Sequence, residues 1–481
     1  MNMPLTGQLW GRKKVMVGND LWRSYTSPVT QAELEHRRVR NIWYQSILFG
    51  AMLFMLGVII IIKSKTTAAA DVDGVLLVYT FFVTTFQLSR LMASLMYISS
   101  YERALSSAEA DQSPYNPKIT FVIPAYNEEN EIQNTIYNCF RAHYPTDLTE
   151  VIVINDASTD STREKIIQMK EKFPQLVFVD WTENKGKRHG MAEGFKRATG
   201  ELVIQLDSDS RIDPRDIRNV VAPFRNPNIG AVSYHTEPAN AAQNLLTRMQ
   251  AAYYFLSFRI LKAAESTFRV VFCCSGCASA YRKSIILPLL DDWLEEKFLG
   301  LPVTWGDDRS ITNRVIKQGY DTLYSSTVRA YTIVPTNLKQ FIKQQIRWKK
   351  GWFVNSIFAS KFIIKRDPFV AFTYFFPLML VTIMTPFMAA RAFLYTPFAH
   401  GISSTFYYSL GVLAVAVLFL IFYRFYAREN PYYPYIFFWA ILNMTLLSYM
   451  LFVALITIQN RGWGTRSVVQ QAAPASTAPA T

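Results

Sequence analysis

Two carboxylates one residue apart, Asp207 and Asp209, close the apolar run Leu202–Leu206. On an extended loop, side chains at i and i+2 can reach one cation together. Mg²⁺ or Mn²⁺ held by one or two carboxylates and completed by a diphosphate is the usual nucleotide arrangement. Upstream, Asn184-Lys185-Gly186-Lys187-Arg188-His189-Gly190 sets three cations beside two glycines. Glycine admits close backbone approach, and Lys and Arg neutralise phosphate. A second acidic pair lies in Trp305-Gly306-Asp307-Asp308-Arg309. One of its carboxylates could take a proton from an incoming hydroxyl. Asp308 also precedes the helical spacing of Ser310–Gln318, where an N-cap would sit. Gln344-Gln345-Ile346-Arg347-Trp348 offers an indole on which a sugar ring can stack and an Arg for phosphate. Trp and Arg are equally at home as anchors at a membrane surface. Cys273-Cys274-x-x-Cys277 has no fourth ligand and no second Cys/His cluster, which argues against zinc.

These residues need a scaffold, and the pattern from Lys118 onward supplies one. Strand candidates at Ile119–Pro124, Val151–Ile154, Leu176–Val179 and Leu202–Leu206 alternate with helical spacing at Glu131–Ala142, Ser161–Phe173 and His189–Thr199. Strand–helix alternation predicts a parallel sheet with helices on both faces. Ligands of such sheets bind at the carboxyl ends of the strands, where the polar loops fall. Neither G-x-G-x-x-G nor G-x-x-x-x-G-K-[ST] occurs, so a dinucleotide fingerprint and a P-loop lose support.

The rest of the chain is apolar. Half of its 481 residues are hydrophobic and only 18% charged, below the quarter or so usual for soluble domains. Trp43–Ile62 has no charge over the length that spans a bilayer, and Val75–Ser99 is broken only by Arg90. After the long polar region, apolar character returns at Phe369–Leu394, Phe406–Tyr423 and Tyr435–Ile458. Arg12, Lys13, Lys14, Arg23, Arg37, Arg38 and Arg40 precede the first segment, so it is not read as a cleaved signal. By the positive-inside rule they place the N-terminus in the cytoplasm, and two crossings return the polar region there. Arg424, Arg428, Arg461 and Arg466 flank Tyr435–Ile458 on both sides, and Pro431 and Pro434 precede it. That segment is expected to be re-entrant or interfacial, leaving four full spans. The expected units are a basic N-terminus (1–42), two membrane helices (43–99), a cytoplasmic α/β domain (100–350), interfacial and membrane helices (351–458) and a C-terminal segment with a disordered tail (459–481). The four cysteines all fall in the cytoplasmic region, where thiols stay reduced. The net charge of +14 is partly juxtamembrane, and no nucleic-acid motif accompanies it.

Taken together, Pro124-Ala125-Tyr126-Asn127-Glu128, Asp156, Asp207-x-Asp209, Gly306-Asp307-Asp308 and Gln344-x-x-Arg347-Trp348 resemble the processive, membrane-embedded family-2 glycosyltransferases. Within that family the chain is most similar to bacterial hyaluronan synthases. The similarity lies in Asn184–His189, Asn244-Leu245-Leu246-Thr247-Arg248, Cys274-Ser275-Gly276, Leu299–Arg309 and Trp463-Gly464-Thr465-Arg466, the last a gating-loop signature. Departures are Asn155-Asp156 for a double Asp, Cys277 where Pro is usual, and Lys349-Lys350-Gly351 after Trp348.

The resemblance implies a GT-A-like domain set between membrane helices, with UDP-sugars as donors. Tyr126 and Asp156 would hold uracil, and Asp207 and Asp209 the metal on the diphosphate. Lys185, Arg188 and Arg347 would add positive charge, and Ser275 and Gln344 would line the substrate site. Asp308, beside Asp307, would be the general base. Trp348 would hold the acceptor sugar, while Trp463 and Arg466 would close over the nucleotide. The implied product is hyaluronan, alternating N-acetylglucosamine (GlcNAc) and glucuronate (GlcA) from UDP-GlcNAc and UDP-GlcA, extruded through the bilayer as a nascent polysaccharide. Rival readings are a chitin-, cellulose- or poly-GlcNAc-like synthase, a non-processive lipid-linked sugar transferase, and a transporter without catalysis.

Overall fold

The computed structural model describes residues 73–109, 115–426 and 430–460, with Gly57 and Ile61 besides. The first expected span, Trp43–Ile62, therefore falls essentially outside the described residues, and Trp463 and Arg466 lie wholly outside them.

The polar region folds as the alternation of strands and helices predicts. β1 (Ile119–Ala125), β2 (Thr149–Asp156), β3 (Val177–Trp181) and β4 (Leu202–Gln205) pair in parallel in the order β3-β2-β1-β4. β1 is buried at every position, as a strand covered on both faces must be. Its side chains alternate between two cores. Val122 joins a cluster with Ile152, Val203 and Phe195, and Phe121 and Ile123 join one with Val151, Val153 and Ile204. Between the strands run α1 (Ile132–Phe140), α2 (Thr162–Lys172) and α3 (Lys187–Arg197).

Beyond β4 the sheet departs from simple alternation. β5 (Arg211–Ile212), β6 (Ile229–Pro238), β7 (Ser279–Arg282) and β10 (Asp321–Thr332) complete eight strands in the order β4-β7-β6-β10-β5. β7 runs antiparallel between β4 and β6, while β6 and β10 are parallel. Because Ser279 pairs with Gln205, the loop that leads into β7 opens on the edge where β1, β2 and β4 end. One sheet edge thus collects residues after 125, 156 and 205 and those before 279. A hairpin of β8 (Lys297–Phe298) and β9 (Leu301–Pro302) turns through Leu299 and Gly300, both at positive φ, as a tight hairpin turn requires.

Among the described residues, three helices are long and apolar enough to cross a membrane: Gly74–Tyr97, Pro368–Ala399 and Ile402–Phe425. The first is part of one continuous helix, Gly74–Glu109. The segment expected to be re-entrant forms two helices, Tyr435–Thr445 and Leu447–Ile456, bent by 47°. Large apolar side chains such as Val78, Leu394, Phe398 and Ile402 stand exposed on the three long helices, which suits lipid and not water. The apolar helices rest on the α/β domain, where Thr267 Oγ1 donates to Ala93 O at 2.8 Å and the Tyr97 hydroxyl donates to Tyr324 O.

Candidate active site

At the end of β2, Asp156 is 1% exposed and holds the loop that follows β3. Its carboxylate oxygens accept from Lys185 N at 2.6 Å and Gly186 N at 2.9 Å, and its carbonyl accepts from Asn184 Nδ2 at 3.0 Å. Burial raises the Asp156 pKa, although the two amides pull against it. Gly186, at φ +90°, makes the turn that starts α3. Tyr126, half-buried, leaves β1 beside Asn127, whose left-handed backbone donates to Ser158 Oγ at 3.1 Å. The loops after β1 and β2 are therefore tied together. Asn155, the departure noted above, donates to Asp180 Oδ1 at 2.8 Å.

The three cations of the basic loop part company. Lys185 lies over the Trp181 ring, 4.6 Å from its centroid. Lys187 pairs with Asp207. Burial works to lower the Lys187 pKa, but Asp207, with Asp307 and Asp308 beyond it, raises it. Arg188, expected at the diphosphate, is turned inward instead. Its Nε donates to Asp307 Oδ1 and its Nη1 to Glu296 Oε2 and Trp293 O, each at 2.9 Å. Direction along the first turn of α3 separates them, and composition carries no trace of it.

Asp207 and Asp209 stand where β4 ends. Asp209 Oδ1 accepts from the hydroxyls of Ser210 and Thr332, each at 3.2 Å. Gly276, in the loop before β7, joins this pair to the other. A methyl there would lie 3.0 Å from Asp207 Oδ1 and 3.2 Å from Lys187 Nζ, and the Gly276 amide donates to Asp308 Oδ2 at 3.1 Å. The Cys273 thiol donates to the same oxygen at 3.6 Å; burial, then Asp308, pushes its pKa up to about 11, so it stays protonated. Ser275 Oγ is buried without a partner among the described residues.

The helix carrying the second acidic pair starts earlier than its apolar spacing suggested. α5 spans Asp307–Lys317, and its N-cap is Gly306 in a left-handed turn, not Asp308. Asp308 sits in the first turn, its Oδ1 accepting from Arg309 N at 2.8 Å, where the helix dipole favours an anion. Upstream, α4 (Leu245–Leu256) opens with a reciprocal cap between Asn244 and Thr247, which accounts for the Asn244–Arg248 element. Tyr254 of α4 is 6.5 Å from the Trp348 ring, and Asp207 and Asp209 are among the charges that act on its hydroxyl. Trp348 lies on α6 (Leu338–Ser360) with Gln344 and Arg347, whose Oε1 and Nε are buried without partners among the described residues.

Residues 120–288 match the family Glycosyl transferase family 2. The hyaluronan synthase of Streptococcus pyogenes serotype M1 is 32% identical over 375 residues, covering 74% of this chain and 85% of that protein. This chain belongs to the family-2 glycosyltransferases. An N-acetylglucosaminyltransferase of Azorhizobium caulinodans is 29% identical over 272 residues, covering 56% of this chain and 68% of that one. Among solved structures, a Pyrobaculum calidifontis mannosyltransferase in complex with GDP-Man and Mn²⁺ matches at 22% identity, TM-score 0.47, over 79% of this chain and 99% of that one.

The mostly parallel sheet with helices on both faces is thus the GT-A-like domain of a glycosyltransferase. At its edge the transferase brings together Asp207, Asp209, Ser275 and Asp308. Tyr126, Asp156 and Lys185 stand on the neighbouring loops. Lys187 and Gly276 were not singled out by sequence reasoning, although the one lay inside the basic loop and the other inside Cys274-Ser275-Gly276. Among the described residues no three His, Cys, Asp or Glu side chains converge as a metal cage. The donors of Asp207 and Asp209 are hard carboxylate oxygens, which fit Mg²⁺ or Mn²⁺ if a diphosphate supplies the rest.

Proposed function

We propose that this transferase polymerises UDP-sugars by inverting transfer onto the end of a growing polysaccharide, and passes the product across the membrane that its apolar helices occupy. The carrying observation is the Gly276 loop, which touches Asp207 and Lys187 on one side and Asp308 on the other. A donor diphosphate and an acceptor hydroxyl can therefore be served within one site. The acceptor oxygen attacks the anomeric carbon, the bond from that carbon to the diphosphate breaks, and UDP leaves. Asp308 takes the hydroxyl proton, placed by the Gly276 amide and the Cys273 thiol. Lys187 balances charge at the diphosphate end. Trp348 and Tyr254 present rings to the acceptor sugar. Asp209, with Asp207, would hold Mg²⁺ or Mn²⁺, which stabilises the leaving diphosphate as a Lewis acid. Tyr126 and Asp156 serve uracil, Gln344 and Arg347 the acceptor side, and Trp463 and Arg466 the closure over nucleotide.

The favoured polymer is hyaluronan, from UDP-GlcNAc and UDP-GlcA, with the catalytic domain in the cytoplasm of a multi-pass plasma-membrane protein. Support comes from the Asn184–His189 and Leu299–Arg309 elements, from the 32% relative and from the basic residues that flank the apolar segments. A second reading, a GlcNAc homopolymer, is favoured by Lys349-Lys350-Gly351 and by the N-acetylglucosaminyltransferase relative. Purified protein given UDP-GlcNAc and UDP-GlcA, singly and together, distinguishes them. Hyaluronidase-sensitive long product only with both donors is expected. Efficient polymer from one donor refutes hyaluronan and leaves the polymerase; sugar found only on lipid refutes the polymerase.

A further inference from the structure

The helix that carries Asp308 and the helix that carries Trp348 meet backbone to backbone, at Gly306 and Gly351. A methyl on Gly306 would stand 2.8 Å from Gly351 Cα and 3.1 Å from Asn355 Nδ2. A methyl on Gly351 would stand 2.9 Å from Gly306 Cα and 3.2 Å from Gly306 N. The close atoms are mostly main chain, so a side chain at Gly351 has to move one helix relative to the other. Gly306 needs to be glycine for its own turn, since its φ is +77°. Gly351 has no such need. It lies in the middle of α6, where glycine weakens a helix, and the contact with Gly306 accounts for it. Asn313 Nδ2 of α5 donates to the Asn355 main-chain O at 3.5 Å and so ties the two helices at this junction, while Asn355 Nδ2 donates to Gly351 O at 2.9 Å within α6. Gly351 follows Trp348 by one helical turn, and Asp308 follows Gly306 by two residues.

We propose that Gly351, packed on Gly306, is a positioning residue that sets the distance from Asp308 to the acceptor sugar on Trp348. This rests on the transferase reading. The contact joins the helix of the base to the helix of the acceptor ring, and neither helix carries Asp156, Asp207 or Asp209. Its loss should therefore act on transfer to a sugar and spare transfer to water, which needs no seat on Trp348. In both reactions the bond from the anomeric carbon to the diphosphate breaks, a bond to the acceptor or water oxygen forms, and the displaced proton goes to Asp308. The packing on Gly306 also gives Gly351, one of the departures from hyaluronan synthases, a physical reason.

The test uses the full-length protein in membranes or detergent, with Gly351→Ala and Asn313→Ala. For Gly351→Ala, UDP binding and UDP-sugar hydrolysis should stay within about threefold of wild type, while chain elongation falls about 10–100-fold, the scale of a misplacement near 1 Å. Asn313→Ala, which keeps both glycines and removes only the side chain that ties the helices, should show the same split at about 2–10-fold. Wild-type elongation by Gly351→Ala overturns the proposal. So does a loss of hydrolysis in proportion to elongation in a protein that still binds UDP. Should Gly351→Ala fail to bind UDP, the Asn313→Ala split decides, and its absence overturns the proposal. Wild-type protein that releases no UDP from either UDP-sugar would overturn the transferase reading itself, and this inference with it.

Discussion

Replacing Arg188 by Met separates two roles for the same side chain, one in the fold and one on the substrate. Its side chain is 6% exposed, and its carboxylate partners Glu296 and Asp307 are 7% and 10% exposed. The guanidinium also lies over the Trp293 ring, 5.3 Å from its centroid. Removing one member of a buried ion pair costs roughly 3–5 kcal/mol, because the partner is left charged and undersolvated. Here the lower end applies. Glu296 keeps the Ser310 hydroxyl at 2.7 Å and Arg314 at 3.7 Å, and the Met chain refills much of the volume. Asp307 loses this ion pair. A loss of about 3 kcal/mol lowers the thermal midpoint of a domain this size by roughly 6–12 °C. Arg188→Lys should not restore it, since an ammonium cannot span both carboxylates. Thermal unfolding in detergent gives the stability, and initial rates give KM and kcat for UDP-sugar. The expected result is a lower midpoint, a lower kcat because Asp307 opens the helix of Asp308, and a nearly unchanged KM. A midpoint within about 1 °C of wild type together with a raised KM would refute this reasoning and put Arg188 on the diphosphate.

Lys187→Met should raise the KM for UDP-sugar about 10–100-fold, the worth of one charge-assisted contact, with Lys187→Arg intermediate; unchanged KM would remove Lys187 from the donor site. Asp209→Asn should retain folding and UDP binding but abolish transfer at any Mg²⁺ or Mn²⁺ concentration, since a neutral amide is a poor partner for a hard dication; near-normal activity with Mn²⁺ contradicts the metal assignment. His235 is buried, and burial, reinforced by Arg259, lowers its pKa to about 4. The fold favours the neutral ring, so stability is full above pH 6.5 and falls with pH until about 4, by about 3 kcal/mol in all. His235→Gln should flatten that part of the thermal-midpoint profile, and a slope equal to wild type would clear the imidazole of the acid sensitivity.

The strands were legible because β1, β2 and β4 are buried on both faces and so read as unbroken apolar runs. Their carboxyl ends followed, and with them the placing of Asp156, Asp207 and Asp209. β7 was not legible, since Ser279-Ala280-Tyr281-Arg282 has no apolar run to mark a strand or its direction. The start of α5 was misplaced for a related reason. Apolar spacing begins at Ile311, whereas the left-handed turn at Gly306 starts the helix at Asp307. Basic composition marked the loop after β3 but could not rank its cations. Lys187 and Arg188 are adjacent on a helix and point about 100° apart, so one meets Asp207 and the other goes into the core. Gly351 showed itself only as a departure, because its reason is a contact with a residue far away in sequence.

The proposed proton removal by Asp308 is central to the mechanism, and Asp308→Asn tests it most directly. The side chain accepts from the Gly276 amide at 3.1 Å and from Arg309 N at 2.8 Å, and an Asn oxygen can keep one of these, so the first turn of α5 should hold. Full-length variant and wild type are compared for UDP binding by titration and for sugar incorporation from UDP-GlcNAc and UDP-GlcA. UDP affinity within about threefold of wild type, with incorporation down about 10²–10⁴-fold, is the predicted result. Incorporation above about a tenth of wild type would contradict Asp308 as the base, and loss of UDP binding would move it to the donor site instead.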